Sequence, residues 1–405
     1  LNVITVVDAR MGRGKSSAAI RYMNEHKGEK RFLYITPYLN EVDRICEQCD
    51  FDQSDGDNTS KSTELKYHMK RGKNIAATHS LFYNMDDEAL ELVKKMNYSL
   101  IIDESIKVVE RLNVSENDFD LIMGHLVQED DSGYLQWIDD TYSGRFIDYK
   151  NMADTGTLLR LDSALLNIMN PEMLKAFDEV FMLTYLFDGQ YQKAYLELFG
   201  FEYRIIGVVH DEHGFRFSDA PDAPPPIDYR HLIQIIDNPK TDKLCSDKYA
   251  LSKNWFKRRG YDHKDMRIMR NAMRNFFQSS SDSDASKRLW TTYKDYKNKL
   301  VDARTGRFRN SFLQVSSRAT NEYRDRTDIA YIANRFIDPN LQKFFSREGI
   351  TINEDQFALA EMLQWIWRSA IRDDKPIRLY VPSRRMRGLL EKWIEDMSKG
   401  ENINE

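Results

Sequence analysis

The run Ala9-Arg10-Met11-Gly12-Arg13-Gly14-Lys15-Ser16 sets two glycines, a lysine and a hydroxyl at a spacing suited to holding phosphate. Backbone N–H groups of a glycine-rich turn cradle an anion, and a helix N-terminus adds positive potential. In such a loop the lysine reaches the β- and γ-phosphates and the neighbouring hydroxyl sits on Mg²⁺. The chain is therefore expected to bind a nucleoside triphosphate through Lys15 and Ser16. A second acidic feature fits the same chemistry. Tyr98-Ser99-Leu100-Ile101-Ile102-Asp103-Glu104-Ser105 is an apolar run that ends in two acids. Asp103 would hold Mg²⁺ with Ser16, and Glu104 would polarise the attacking water as general base. Near the other end, Arg368 and Arg372 are four apart on a predicted helix and would project from one face. An arginine brought across a cleft offsets the charge that builds on a transferring phosphoryl group, worth on the order of 10³-fold or more in rate. Taken alone, the two arginines read as a surface helix paired with Glu361 or Asp373.

These side chains need elements to position them. Val3–Val7 reads as a strand into the loop, and Ser16–Glu25 as the helix leaving it. Further strands are predicted at Arg31–Thr36, Asn74–Thr78, Ser99–Asp103 and Val180–Thr184, and helices at Leu39–Cys49, Ser60–Arg71 and Asp87–Met96. Short apolar strands alternating with helices imply a mostly parallel sheet covered on both faces, with ligands at the carboxyl ends of its strands. Residues 115–178 are acidic and lean to helix, and are expected to form a helical insertion. The pattern restarts after residue 205. Tyr203–Val209 and Gly214–Ser218 read as a hairpin, and Asp219–Pro226 as a stiff linker. His231–Ile236, Arg288–Thr292, Ser311–Ser316 and Ile377–Val381 read as strands of a second α/β domain, with a flexible loop at Gln278–Asp284.

The chain has 405 residues, enough for two or three sizeable cores, and its 41% hydrophobic and 30% charged residues describe a globular protein. No apolar run approaches a membrane span, and no cleaved leader is expected before the phosphate loop. A net charge of −5 argues against an electrostatic coat for nucleic acid but leaves room for a local basic groove. Three cysteines suit a reducing compartment, and Cys46 and Cys49 lack the second ligand pair that a zinc site needs.

Together these parts resemble the superfamily 2 helicases and translocases, and in style the compact helicases of tailed bacteriophages. Ala9-x-x-Gly12-x-Gly14-Lys15-Ser16 is similar to their motif I, and Asp103-Glu104-Ser105-Ile106 stands where their DEAD/DEAH box stands, with the last two letters changed. Gln364…Arg368…Arg372 resembles motif VI, with Trp367 in place of its glycine and the second arginine one residue late. Ile35-Thr36-Pro37-Tyr38 and Ala77-Thr78-His79-Ser80 are similar to motifs Ia and Ib. Leu183-Thr184-Tyr185 occupies the place of motif III. Trp290-Thr291-Thr292 is like motif IV, and Ser317-Arg318-Ala319-Thr320-Asn321 like motif V.

The resemblance implies an α/β fold of two tandem RecA-like P-loop domains, at 1–205 and 206–405, with the insertion in the first. It implies ATP held by Ala9, Gly12, Arg13, Gly14, Lys15, Ser16, Ser17 and Gln364, with Mg²⁺ on Ser16 and Asp103. Thr36, Pro37, Thr78, His79, Thr291, Thr292, Arg318, Thr320 and Asn321 would contact nucleic acid, and Thr184 would couple the two ligands. The expected partner is single-stranded or forked DNA, with RNA as the alternative, in the cytoplasm of a phage-infected host. The insertion is where a replication or recombination protein would dock. A nucleotide-gated DNA clamp or loader is the competing class, although such a switch needs neither Glu104 nor Arg368.

Overall fold

The computed structural model describes residues 3–53, 60–219, 227–279, 284–302, 305–317 and 322–399. The chain divides into two compact units. One comprises Leu1–Ala9, Gly14–Ala220 and Ile337–Ile352. The other comprises Pro221–Phe336 and Asn353–Glu405, with the loop tip Arg10–Arg13 grouped with it.

The first unit is built on strands β1 (Ile4–Asp8), β2 (Arg31–Thr36), β3 (Asp52–Gln53), β4 (Ile75–Thr78) and β5 (Tyr98–Asp103). An inserted segment carries β6 (Val109–Arg111), β7 (Val127–Glu129), β8 (Leu135–Trp137), β9 (Leu158–Leu161) and β10 (Ala164–Ile168). The main sheet then resumes with β11 (Glu179–Thr184), β12 (Tyr203–Asp211) and β13 (Gly214–Ser218). Its order is β13-β12-β1-β11-β5-β2-β4-β3. Every pairing is parallel except the β12–β13 hairpin. All six residues of β5 are buried, which explains its unbroken apolar run: helices cover both faces of a parallel sheet, so neither face calls for alternation. Helix α1 (Lys15–His26) turns Ala18, Ala19 and Met23 inward. There Ala19 and Met23 join Val7, Phe32, Tyr34, Ile101, Phe181 and Leu183 in one core.

Two expectations are corrected. The hairpin belongs to the first sheet, because β12 pairs with β1 from Ile4↔Tyr203 to Val7↔Ile206; a boundary at 205/206 would cut through that strand. The insertion is not simply helical. It holds an antiparallel sheet of order β6-β10-β9 and the ribbon β7-β8, with helices Glu116–His125 and Ile147–Asp154. Its core gathers Ile122, Val127, Leu135, Trp137, Phe146, Leu158 and Leu165. Its short strands lie between acidic turns, where composition masks their period. Helix Pro339–Arg347, far along the chain, also belongs to this unit. Its Lys343 and Arg347 pair with Asp162 at 2.5 and 2.9 Å.

The second unit has a four-stranded parallel sheet of order β14-β17-β16-β15, where β14 is Ile233–Ile235, β15 Arg288–Thr291, β16 Asp328–Tyr331 and β17 Ile377–Tyr380. The strand expected at Ser311–Ser316 is reduced to a bridge between Phe312 and Trp290, and β16 pairs with β15 from an inner position. Asp328 opens β16 with only 1% exposure, its charge met by Arg378 at 2.7 Å; that charged start hid the strand from an apolar pattern. Residues 220–226 of the expected linker and 280–283 of the expected loop lie outside the described residues. Among the described residues, no helix is long and apolar enough to cross a membrane.

Candidate nucleotide site

The loop after β1 has the backbone its glycines suggested. Gly12 and Gly14 have φ of 74° and 75°, a left-handed conformation in which a side chain is costly. Gly14 caps α1 without a side-chain hydrogen bond, and the first turn of α1 holds no acid. Ser60, Thr78, Asp86 and Ser115 close other helices of this unit, while helices Leu39–Cys49, Ile147–Asp154 and Tyr191–Leu198 are, like α1, without a side-chain cap. An N-terminus without such a cap suits an anion. Lys15 Nζ donates to the Ala9 carbonyl at 2.5 Å, so the lysine arches over the loop. Arg13 N donates to the Arg10 carbonyl at 3.3 Å, closing the tip. Ser17 is exposed on the helix surface.

Asp103 ends β5, yet β11 lies between β5 and β1. The acid-bearing strand is thus one strand removed from the loop rather than beside it. The side chain spans the gap: Ser16 Oγ lies 3.3 Å from Asp103 Oδ1 and 3.5 Å from Oδ2. Asp103 is 7% exposed. Burial, reinforced by the nearby Glu104 and Glu41 carboxylates, pushes its carboxyl up to about 7, against the pull of the Tyr34 hydroxyl and the Lys15 ammonium. A hydroxyl and a desolvated carboxylate side by side make a hard-oxygen pair suited to Mg²⁺, and a divalent cation would relieve the cost of ionising Asp103. The residues therefore fit Mg²⁺ and a triphosphate.

The next residue, Glu104, holds φ at 67°, which costs a non-glycine residue about 1 kcal/mol. The turn is retained nonetheless. His79 Nε2 lies 3.0 Å from the Asp103 carbonyl and braces it from the neighbouring element.

A residue that sequence reasoning missed links this turn to β11. Gln190, 7% exposed, accepts at Oε1 from Ser105 Oγ at 3.0 Å and from Thr184 Oγ1 at 2.8 Å. Its Nε2 donates to the Tyr185 carbonyl at 2.8 Å. The residue after Glu104 and the place of motif III thus share one amide. Gln190 lies six positions past Thr184, in no motif, and only its burial reveals it. Asp8, at the end of β1, also ties into this region by accepting from Leu186 N and Phe187 N at 3.0 and 3.1 Å.

Several expected nucleic-acid contacts are corrected. Thr36, Thr291 and Thr292 are each 0% exposed. Thr36 closes the inner strand β2, Thr291 closes β15 at the edge of its sheet and Thr292 follows it, and each is covered by the surrounding core rather than presented to a phosphate. His79 is buried and serves the Asp103 turn. Thr78 is half-buried and caps helix His79–Tyr83 by accepting from Leu81 N, and Pro37 is half-buried at the end of β2. Arg318, Thr320 and Asn321 lie outside the described residues.

In the second unit, helix Glu354–Ile366 carries Gln364 but stops before the arginines. Arg368 follows its C-cap Trp367, and Arg372 lies in a 3₁₀ turn at Ala370–Asp373. They do not share one helical face: Arg368 is 9% exposed and Arg372 is exposed. Glu361 pairs with Arg335 at 2.6 Å and Asp373 with Arg324, with Arg372 adding to the positive field on Asp373.

Comparison with known proteins agrees with this fold. An apo structure of XPD superposes with a TM-score of 0.53 at 11% identity, covering 96% of this chain and 95% of that one. Xpd4 of S. tokodaii gives a TM-score of 0.49 at 9% identity, covering 100% and 95%. The fold is thus like that of XPD, α/β with mostly parallel sheets, consistent with two RecA-like domains in tandem along the chain. Residues 109–167 match the YonV middle domain and residues 227–394 the YonV C-terminal Rossmann-like domain. The SPbeta prophage-derived protein YonV of Bacillus subtilis (strain 168) is 37% identical over 413 residues, covering 97% of this chain and 99% of that protein. The chain belongs to the YonV family.

Proposed function

We propose that this protein is an ATP-driven helicase or translocase that acts on DNA during phage replication or recombination. The observation that carries this reading is the meeting of Ser16 and Asp103 at 3.3 Å, at the start of α1, with Glu104 next in line. The loop amides and Lys15 would bind the β- and γ-phosphates. Mg²⁺ bound by Ser16 and Asp103 would neutralise charge on the phosphate oxygens. Glu104 would take a proton from the attacking water as its oxygen bonds to the γ-phosphorus, and the bond to the β–γ bridging oxygen would break to release ADP and phosphate. Arg368, with Gln364 and Arg372 from the second unit, would offset the developing negative charge. A bistable hinge that both ligands bias would convert each turnover into a step along the strand.

Steady-state ATPase assays with single-stranded, forked and duplex DNA, and with single-stranded RNA, test the reading. Turnover that rises with a nucleic acid supports a motor. ATP binding without stimulated turnover would instead mark a nucleotide-gated clamp.

A further inference from the structure

We infer that Phe215 and His210, on the β12–β13 hairpin, form the nucleobase-binding part of the nucleotide site. This inference rests on the reading of Ala9–Ser16 as a triphosphate loop. Strand β12 lies beside β1 and parallel to it, with Val7 opposite Ile206. It does not stop where β1 stops. It runs on to Asp211, four residues past the level of Asp8, or about 13 Å at the rise of a strand. It therefore overshoots the carboxyl edge of the sheet on the side of the phosphate loop, where open α/β sheets bind their ligands.

The overshoot carries an aromatic pair. Gly214 turns the chain back with φ of 105°, and the register sets Phe215 directly across from His210. Their rings meet edge to face, with centroids 4.8 Å apart at 80°. Phe215 also lies on the phosphate loop itself. A Cβ built on Gly14 would fall 2.2 Å from Phe215 Cγ, so position 14 needs glycine for this contact as well as for its φ. The hairpin is pinned to α1: the Asp211 carboxylate accepts from Arg21 Nη1 at 2.9 and 3.1 Å, from Arg216 Nε at 3.1 Å and from His213 N at 2.9 Å. The ring is thus held at a fixed offset from the amides that would take the phosphates. Phe215 remains half-buried and His210 exposed, so the pair is open to a ligand. A planar base joined through ribose to a loop-bound triphosphate would find a π-face and an imidazole edge here.

Aromatic stacking of a base is worth on the order of tenfold in affinity. The test is calorimetric titration of the full chain with Mg·ATP and with Mg·tripolyphosphate, which has the phosphates but no base. Wild type should bind ATP about tenfold more tightly than tripolyphosphate. Phe215→Leu, which keeps an apolar contact on Gly14, should lose most of that advantage while binding tripolyphosphate within about twofold of wild type. Phe215→Tyr, which keeps the ring, should retain the advantage. Equal loss of both ligands in Phe215→Leu would make Phe215 a prop for the loop and overturn the assignment. So would an unchanged ATP advantage in that variant, or none in wild type. Failure of wild type to bind either ligand would instead remove the triphosphate loop itself.

Discussion

Replacing Asp103 by Asn separates the metal-binding role proposed for this carboxylate from its cost to the fold. Burial and two neighbouring carboxylates displace the Asp103 carboxyl from 3.8 to about 7 in the folded protein. In the unfolded chain it titrates near its ordinary value. The folded state therefore holds a proton that the unfolded state has lost between those two values, and stability falls as pH rises through that window. At about 1.4 kcal/mol per pH unit, the total cost is on the order of 4 kcal/mol, complete above pH 7. Roughly 3 kcal/mol of it falls between pH 5 and pH 8, on the order of a hundredfold in an opening equilibrium. Asparagine has no such titration. Amide hydrogen exchange of the buried residues Leu100–Ile102 in β5 reads the difference locally, without requiring the two units to unfold together. The ratio of wild-type to Asp103→Asn protection should fall about a hundredfold from pH 5 to pH 8 in the absence of nucleotide. Effects common to both proteins cancel at each pH. Mg²⁺ with a non-hydrolysable nucleotide should restore protection in wild type at pH 8 and do little for the variant. A protection ratio that stays constant across this range would mean that Asp103 is ionised at ordinary pH, and the desolvated metal-binding carboxylate would be lost.

The remaining predictions concern turnover. Lys15→Ala should abolish ATP hydrolysis in a steady-state assay; full activity would remove the phosphate loop from the mechanism. Glu104→Gln should bind nucleotide with near wild-type affinity while hydrolysis stops, and normal turnover would exclude Glu104 as base. Arg368→Ala should lower kcat by about 10²–10³-fold with circular dichroism unchanged, whereas Arg372→Ala, at an exposed position, should cost less. Gln190→Leu would leave the Ser105 and Thr184 hydroxyls without their shared acceptor, a cost of about 1–3 kcal/mol at the buried Thr184. It should keep basal hydrolysis and lose its stimulation by single-stranded DNA; equal stimulation in the variant would reduce Gln190 to a packing residue.

The first sheet was legible because its strands are apolar runs of uniform burial set between amphipathic helices. β2 and helix Leu39–Cys49 fall on their expected limits. What failed to show was anything set by strand order. Nothing in Glu179–Thr184 announces that it separates β1 from β5, because parallel neighbours need not be consecutive in the chain. The hairpin was recognised as a hairpin and given to the wrong domain for the same reason. Its edge partner β1 lies some two hundred residues earlier, and sequence proximity favours the domain that follows. β16 was lost because Asp328 and Tyr331 look polar until Arg378 and the surrounding core account for them. The insertion misled through composition, since its acidic turns outweigh strands only three to five residues long.

The site divides along the same line. The meeting of Ser16 with Asp103 could be anticipated, because the roles proposed for them demand a residue type at the start of a helix and the end of a strand. Threonines 36, 291 and 292 were named by their place in short motifs, and burial overruled that place, since each is fully covered by the core around it. Gln190 and Phe215 illustrate the converse. Neither belongs to a motif, and each acquires meaning from a contact that only the folded chain makes, the first with Ser105 and Thr184 and the second with Gly14. Catalytic atoms are constrained by bonding chemistry and so leave a local pattern. The groups that orient them or receive the rest of the ligand need only arrive at the right point in space, and any segment that the topology brings there will serve. Differences in ligand preference among related chains should therefore concentrate on hairpins and turns such as 210–216, while the loop at 9–16 stays constant.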